Sequence, residues 1–183
     1  MSLPMHDELI MAEEFLEMFP ETNKKCELID GVVVTGMASP GALHQKLVMR
    51  LSAKIDAFIA SKGGDCEVFP SPFDAVLDDY HVVQPDVLVN CDRSKNDGKR
   101  INGAPDLVIE ITSSNKGYDY NQKTDIYRRA GVREYWIIDP DIKRTMVFAF
   151  GENSDFSFYA FDKSVPVGIF GGELEINISE LTE

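Results

Sequence analysis

Apolar residues recur at helical spacing in some stretches of the chain and at alternate positions in others, and the switches between the two periods mark out its elements. Residues 7–19, DELIMAEEFLEMF, predict a helix ended by Pro20. In CELIDGVVVTGM (26–37), Asp30-Gly31 stands between two apolar runs, the pattern of a hairpin. Ser39-Pro40 opens a long helix reaching to about Ser61. Leu43, Leu47, Leu51, Ile55 and Phe58 form its apolar stripe, and Gly63-Gly64 ends it.

Strands are predicted for CEVFP (66–70), FDAVL (73–77) and VVQPDVLVN (82–90), separated by turn residues. A polar loop, 91–104, leads to DLVIEIT (106–112). A helix follows over 118–130, closed by Gly131, and then the buried strand EYWIID (134–139). RTMVFAF (144–150) and FSFYAF (156–161) read as a further hairpin, and the tail 171–183 as edge structure. This order predicts an α+β fold, a mixed central β-sheet flanked by helices. The length of 183 residues suits one domain, 1–183. Within it, 1–38 is an N-terminal helix and hairpin, 39–140 the core, and 141–183 a C-terminal β-extension.

Composition adds exclusions. With 44% hydrophobic and 27% charged residues the chain is globular. No stretch approaches the roughly 18 apolar residues that span a bilayer, so no membrane partner is expected. The first residues lack the basic region of a secretion signal. Cys26, Cys66 and Cys91 are odd in number and widely spaced, which predicts reduced thiols, no zinc site and a cytoplasmic location. A net charge of −13 argues against simple binding to nucleic-acid phosphates. The acidity is uneven, however. Residues 93–144 hold 11 Lys and Arg against 8 Asp and Glu.

The candidate chemistry lies in acids placed among apolar residues. Asp86 opens the strand after Pro85, and Glu110 sits between Ile109 and Ile111. A buried carboxylate is costly unless paired, hydrogen-bonded or metal-bound. Asp106 and Glu110 are about 13 Å apart on one strand, too far to share an ion. Asp86, on an adjacent antiparallel strand, can approach Glu110 to about 5 Å. On the 118–130 helix, Lys123 falls within about 40° of Tyr127, on the inward stripe, and a lysine directed at a sheet needs an anionic partner. Two acids and a lysine are the minimum for metal-assisted phosphodiester hydrolysis. Mg²⁺, with Mn²⁺ as substitute, suits so sparse an oxygen set because it keeps several waters. Lys123 then orients and activates water.

Pro85-Asp86, Glu110 and a following lysine resemble the PD-(D/E)XK nuclease superfamily. The strings ELIDG, VVQPDVLV, GAPDLVIEITS and AGVREYWIIDP resemble, more closely, the Uma-type family of restriction-endonuclease-like proteins. The resemblance runs from about Glu27 to Pro140. It implies a restriction-endonuclease-like core and a Mg²⁺-dependent endonuclease acting on DNA. Asp86 and Glu110 would be the metal ligands, with in-line attack on phosphorus and departure of the 3′ oxygen, and a homodimer would cut two strands. The superfamily's lysine follows the acid by two residues; here that position is Thr112, and Lys123 matches branches whose lysine has moved to the next helix.

Each residue also has a purely structural reading. Asp86 is equally a turn residue, Glu110 an outward strand residue, and Lys123 a side chain that snorkels to solvent. In second rank stand His44 (a core histidine, or a phosphate contact or proton shuttle), Glu27 (hairpin decoration, or a contact to the metal or its ligands) and Gln84 (a solvated residue, or a partner for metal-bound water). Arg93, Lys95, Lys99 and Arg100 form the best basic patch for a nucleic-acid backbone, or else a solvated loop. Tyr118 and Tyr120 either stack bases or join the core. Two other functions compete with a DNA nuclease. One is a catalytically silent nuclease-like interaction module, the other a hydrolase of small phosphorylated substrates.

Overall fold

The computed structural model describes residues 9–20, 25–35, 40–112, 119–151 and 154–183, with the backbone alone for 119 and 120. Among these residues the chain forms α1 (Ala12–Met18), β1 (Glu27–Ile29), β2 (Val32–Val34), α2 (Ala42–Lys62), β3 (Glu67–Pro70), β4 (Asp74–Asp78), β5 (His81–Val83) and β6 (Val87–Asn90). There follow β7 (Arg100–Asn102), β8 (Leu107–Ile111), α3 (Asp119–Ala130), β9 (Glu134–Asp139), β10 (Arg144–Ala149) and β11 (Asp155–Ala160). The chain closes with β12 (Ser164–Pro166), β13 (Glu175–Asn177) and α4 (Ile178–Thr182).

The larger sheet has the order β11-β10-β9-β8-β6-β3. It is mixed: β8 and β9 run parallel, and β6 and β8 antiparallel. A parallel pair needs a crossover, which α3 supplies. A second sheet, β2-β1-β5-β4-β7, lies on the α3 side, and β12 pairs with β13. The fold is therefore the expected α+β arrangement of mixed sheets and flanking helices.

Alternation along the strands divides the core. Val87, Val89, Leu107, Ile109, Trp136 and Ile138 face the Leu47, Leu51 and Ile55 stripe of α2. Leu88, Val108, Tyr135 and Ile137 point the other way, toward Ile126 and Tyr127 of α3 and toward Ile29, Ala75 and Val83 of the smaller sheet. The α2 stripe begins one turn later than its sequence suggests. Leu43 is 42% exposed because it precedes the turns that pack on the sheet. Gly63, at φ 64°, closes α2 in the left-handed conformation that glycine adopts at low cost.

Three further expectations are corrected. The run 82–90 is two strands, because Pro85 offers no N–H to a ladder and the chain changes sheets there. Cys66 and Cys91 form a disulfide. They sit one position beyond the Glu67↔Asn90 pair of β3 and β6, so the register brings them face to face; Cys26 is a free, buried thiol. The tail is interior, not edge. Leu174, Ile176, Ile178 and Leu181 join the α2-side core. Buried Glu134 fastens this segment by accepting from Trp136 Nε1 at 2.6 Å and from the Ile169 N–H at 2.7 Å. Gly168 fits there because a Cβ would come within 2.9 Å of Glu134 Oε2. No helix among the described residues is long and apolar enough to cross a membrane.

Candidate active site

Asp86 stands where the chain passes from the smaller sheet to the larger. Val87 pairs with Ile109, so Asp86, one residue outward, confronts Glu110 across the antiparallel β6–β8 pair. Even-numbered positions of β6 and β8 share the α3 face, so both acids point to one side. Asp86 is 4% exposed. Its Oδ2 accepts from the Ile111 N–H at 2.8 Å and lies 3.0 Å from His44 Nε2, while Oδ1 accepts from Lys25 Nζ at 3.2 Å. Burial works to raise this carboxyl, but the His44 hydrogen bond, the Lys25 charge and the Ile111 N–H outweigh it and hold the group at about 2.

Lys123 reaches inward from α3, as its helical phase requires, and is 7% exposed. Its Nζ donates to Glu110 Oε1 at 2.9 Å and to Glu27 Oε1 at 3.1 Å. Burial opposes its charge, yet the Glu110 and Glu27 carboxylates prevail and hold the ammonium well above its ordinary range. The Tyr127 hydroxyl, one turn along α3, donates to the same Glu110 oxygen at 2.9 Å. Burial, followed by the neighbouring Glu110 and Glu27 charges, pushes the Tyr127 phenol well above its usual range. For Glu110 itself burial prevails, and its carboxyl is raised despite Lys123 and Lys25.

The second-rank residues divide. Glu27, buried on β1, accepts from the Gln84 N–H at 3.0 Å as well as from Lys123, and so ties the smaller sheet to α3. Gln84 donates from Nε2 to Asp74 Oδ1 at 2.8 Å, and its Oε1 is buried without a partner among the described residues. His44, in the first turn of α2, meets Asp86 and belongs to the same cluster. Of the basic patch, Arg93 donates to the Asp65 carbonyl at 3.2 Å and Lys95 to the Ala104 carbonyl at 2.8 Å. Arg100 lies on β7 with its Nε buried, and Lys99 is exposed. Tyr118 and the Tyr120 side chain lie outside the described residues.

Lys25 is the member that the sequence reading missed. It precedes Glu27 by two residues, a spacing that shares a face in extended chain, and this was the available signal. Its Nζ lies 3.2 Å from Asp86 Oδ1 and 3.9 Å from Glu110 Oε2. These two oxygens thus converge on one cation position. Hard carboxylate oxygens aimed at a common positive charge fit Mg²⁺ or Mn²⁺. Among the described residues no group of three or more His, Cys, Asp or Glu is gathered for a metal. Two carboxylates are the donor set on offer.

A mixed sheet with a parallel β8–β9 crossover, flanked by helices, is the restriction-endonuclease-like architecture. The chain belongs to the Uma2 family, whose model, described as "Putative restriction endonuclease", matches residues 12–178. The structure is similar to a crystal structure of a "putative nuclease belonging to DUF820" from Anabaena variabilis ATCC 29413. The TM-score is 0.77 at 25% identity, over 94% of this chain and 97% of that one. No curated protein matches the chain.

Proposed function

We propose that this protein is a Mg²⁺-dependent endonuclease that hydrolyses DNA phosphodiester bonds. The observation that carries the reading is the convergence of Asp86 Oδ1 and Glu110 Oε2 on one cation position, with the Lys123 ammonium 2.9 Å from the other Glu110 oxygen. A divalent ion held there supplies Lewis acidity, neutralising phosphate charge and acidifying water. The chain's own groups do the rest. His44 and the Ile111 N–H fix the Asp86 carboxylate and keep it ionised, so it is ready to accept a cation. Tyr127 and Lys123 hold the Glu110 side chain in place through its Oε1. Lys123 acts on water by charge and orientation. Held as an ammonium between two carboxylates, it is a donor and not a proton acceptor. The expected reaction is in-line displacement with the 3′ oxygen leaving.

The same reading includes DNA as partner, a homodimer able to cut both strands and a cytoplasmic setting, which the Cys66–Cys91 disulfide leaves without its reduced-thiol argument. Its test is nicking of supercoiled plasmid by the full chain in Mg²⁺, in Mn²⁺ and in chelator. Cleavage by the parent and loss in Asp86→Asn and Glu110→Gln are expected; equal cleavage by Asp86→Asn overturns the site. The net charge of −13 favours a second reading, hydrolysis of small phosphorylated molecules. Turnover of nucleotide or phosphate-ester substrates without plasmid nicking would select it.

A further inference from the structure

The two lysines of the site are held differently. Lys123 is enclosed, with 9% of its side chain exposed, between Glu27 and Glu110. Lys25 borders solvent, with 27% of its side chain exposed. Among the described residues, its two oxygens are the ones the other partners leave. Asp86 Oδ2 is taken by His44 and the Ile111 N–H, and Glu110 Oε1 by Lys123 and Tyr127. Asp86 Oδ1 and Glu110 Oε2 are left to Lys25, which enters on the chain just ahead of β1.

A divalent ion bound by these carboxylates would need the same two oxygens. An ammonium and a dication at one position repel strongly where water is scarce, so the two are alternative occupants. We propose that Lys25 is a built-in competitor for the divalent ion, which sets the metal affinity of the site and must turn outward into solvent when the ion binds. Lys25 is then a positioning residue that acts through Asp86 and Glu110. This rests on the metal-dependent reading above and assigns a role to a residue which that reading does not use. The geometry favours release over a fixed bridge. The grip on Asp86 is a single hydrogen bond, the approach to Glu110 is 3.9 Å, and the side chain already borders solvent. Lys123, by contrast, is gripped by two carboxylates in the interior and stays.

The test is Mn²⁺ binding to the full chain, stripped of metal and followed by the electron paramagnetic resonance of free Mn²⁺. Lys25→Met removes the competitor and is expected to bind Mn²⁺ about tenfold more tightly than the parent. Lys25→Arg keeps a cation there and should stay within about threefold of the parent. Parent binding with equal or weaker binding by Lys25→Met overturns the proposal and leaves the metal site standing. Absence of binding by both proteins overturns the metal site as well.

A second measurement uses the unaltered chain, in case Lys25→Met folds poorly. N-hydroxysuccinimidyl acetate labels accessible amines, and mass spectrometry reads each lysine. Saturating Mn²⁺ should raise Lys25 labelling severalfold and leave Lys123 unlabelled. Unchanged Lys25 labelling at a Mn²⁺ concentration shown to fill the site overturns the proposal.

Discussion

The Lys123 ammonium stands 2.9 Å from Glu110 Oε1. One residue comes from the crossover helix and the other from the strand before it, and Glu27 of the smaller sheet holds the same ammonium at 3.1 Å. Removing one member of a buried ionic cluster leaves the others uncompensated, at a cost of about 3–5 kcal/mol. Lys123→Met is therefore expected to lose stability on that scale as well as cleavage. Adding Glu27→Gln should restore part of the stability and none of the cleavage. Urea unfolding of the two single variants and the double variant measures the coupling, and additive losses would show that the contact carries no energy.

Acid should act on Asp86 late. Its carboxyl ionises at about 2 in the folded chain against an ordinary 3.8. A depressed carboxyl pKa contributes stability that is complete above the unfolded value and is lost as pH falls through the folded one. The window here is about pH 4 to 2, worth roughly 2 kcal/mol. Denaturant unfolding across that range should show the parent losing about that much more than Asp86→Asn.

Glu110 behaves in the opposite sense. Burial raises its carboxyl, so protons compete for it above the range in which Asp86 titrates. Mn²⁺ binding should weaken with acid at a pH above that at which Asp86 takes its proton. The affinity measured as a function of pH gives the number of protons exchanged per ion. Uptake of two protons per ion lost would mean that both acids titrate together.

The Cys66–Cys91 bridge spans 25 residues and ties β3 to β6 at the end of β6 opposite Asp86. A loop of this size corresponds to about 3 kcal/mol of constraint on the unfolded chain. Cys66→Ser, or the parent in dithiothreitol, should melt at lower temperature with Mn²⁺ affinity unchanged. Equal melting temperatures with and without reductant would show the bridge to be idle.

The meeting of Asp86, Glu110 and Lys123 was legible because strand alternation and helical phase are local rules. Each fixes a direction without any knowledge of the whole fold. Features that depended on partners were not legible. The apolar run through Pro85 is continuous in sequence, and pairing with β4 before the proline and with β8 after it sends the two halves to different sheets. The disulfide depends on the β3–β6 register. The tail alternates as an edge strand would, and its burial comes from packing against α2. Lys25 lies in a polar stretch where one lysine resembles another, until Asp86 and Glu110 are seen to face it.

Lys123 grips an acid from each sheet, and that has a consequence for the assembly of the protein. Glu27 and Glu110 belong to separately hydrogen-bonded layers, and the ammonium rivets one to the other. Opening the smaller sheet away from α3 would strip the ammonium of one of its two carboxylates and leave Glu110 to balance it alone in the interior.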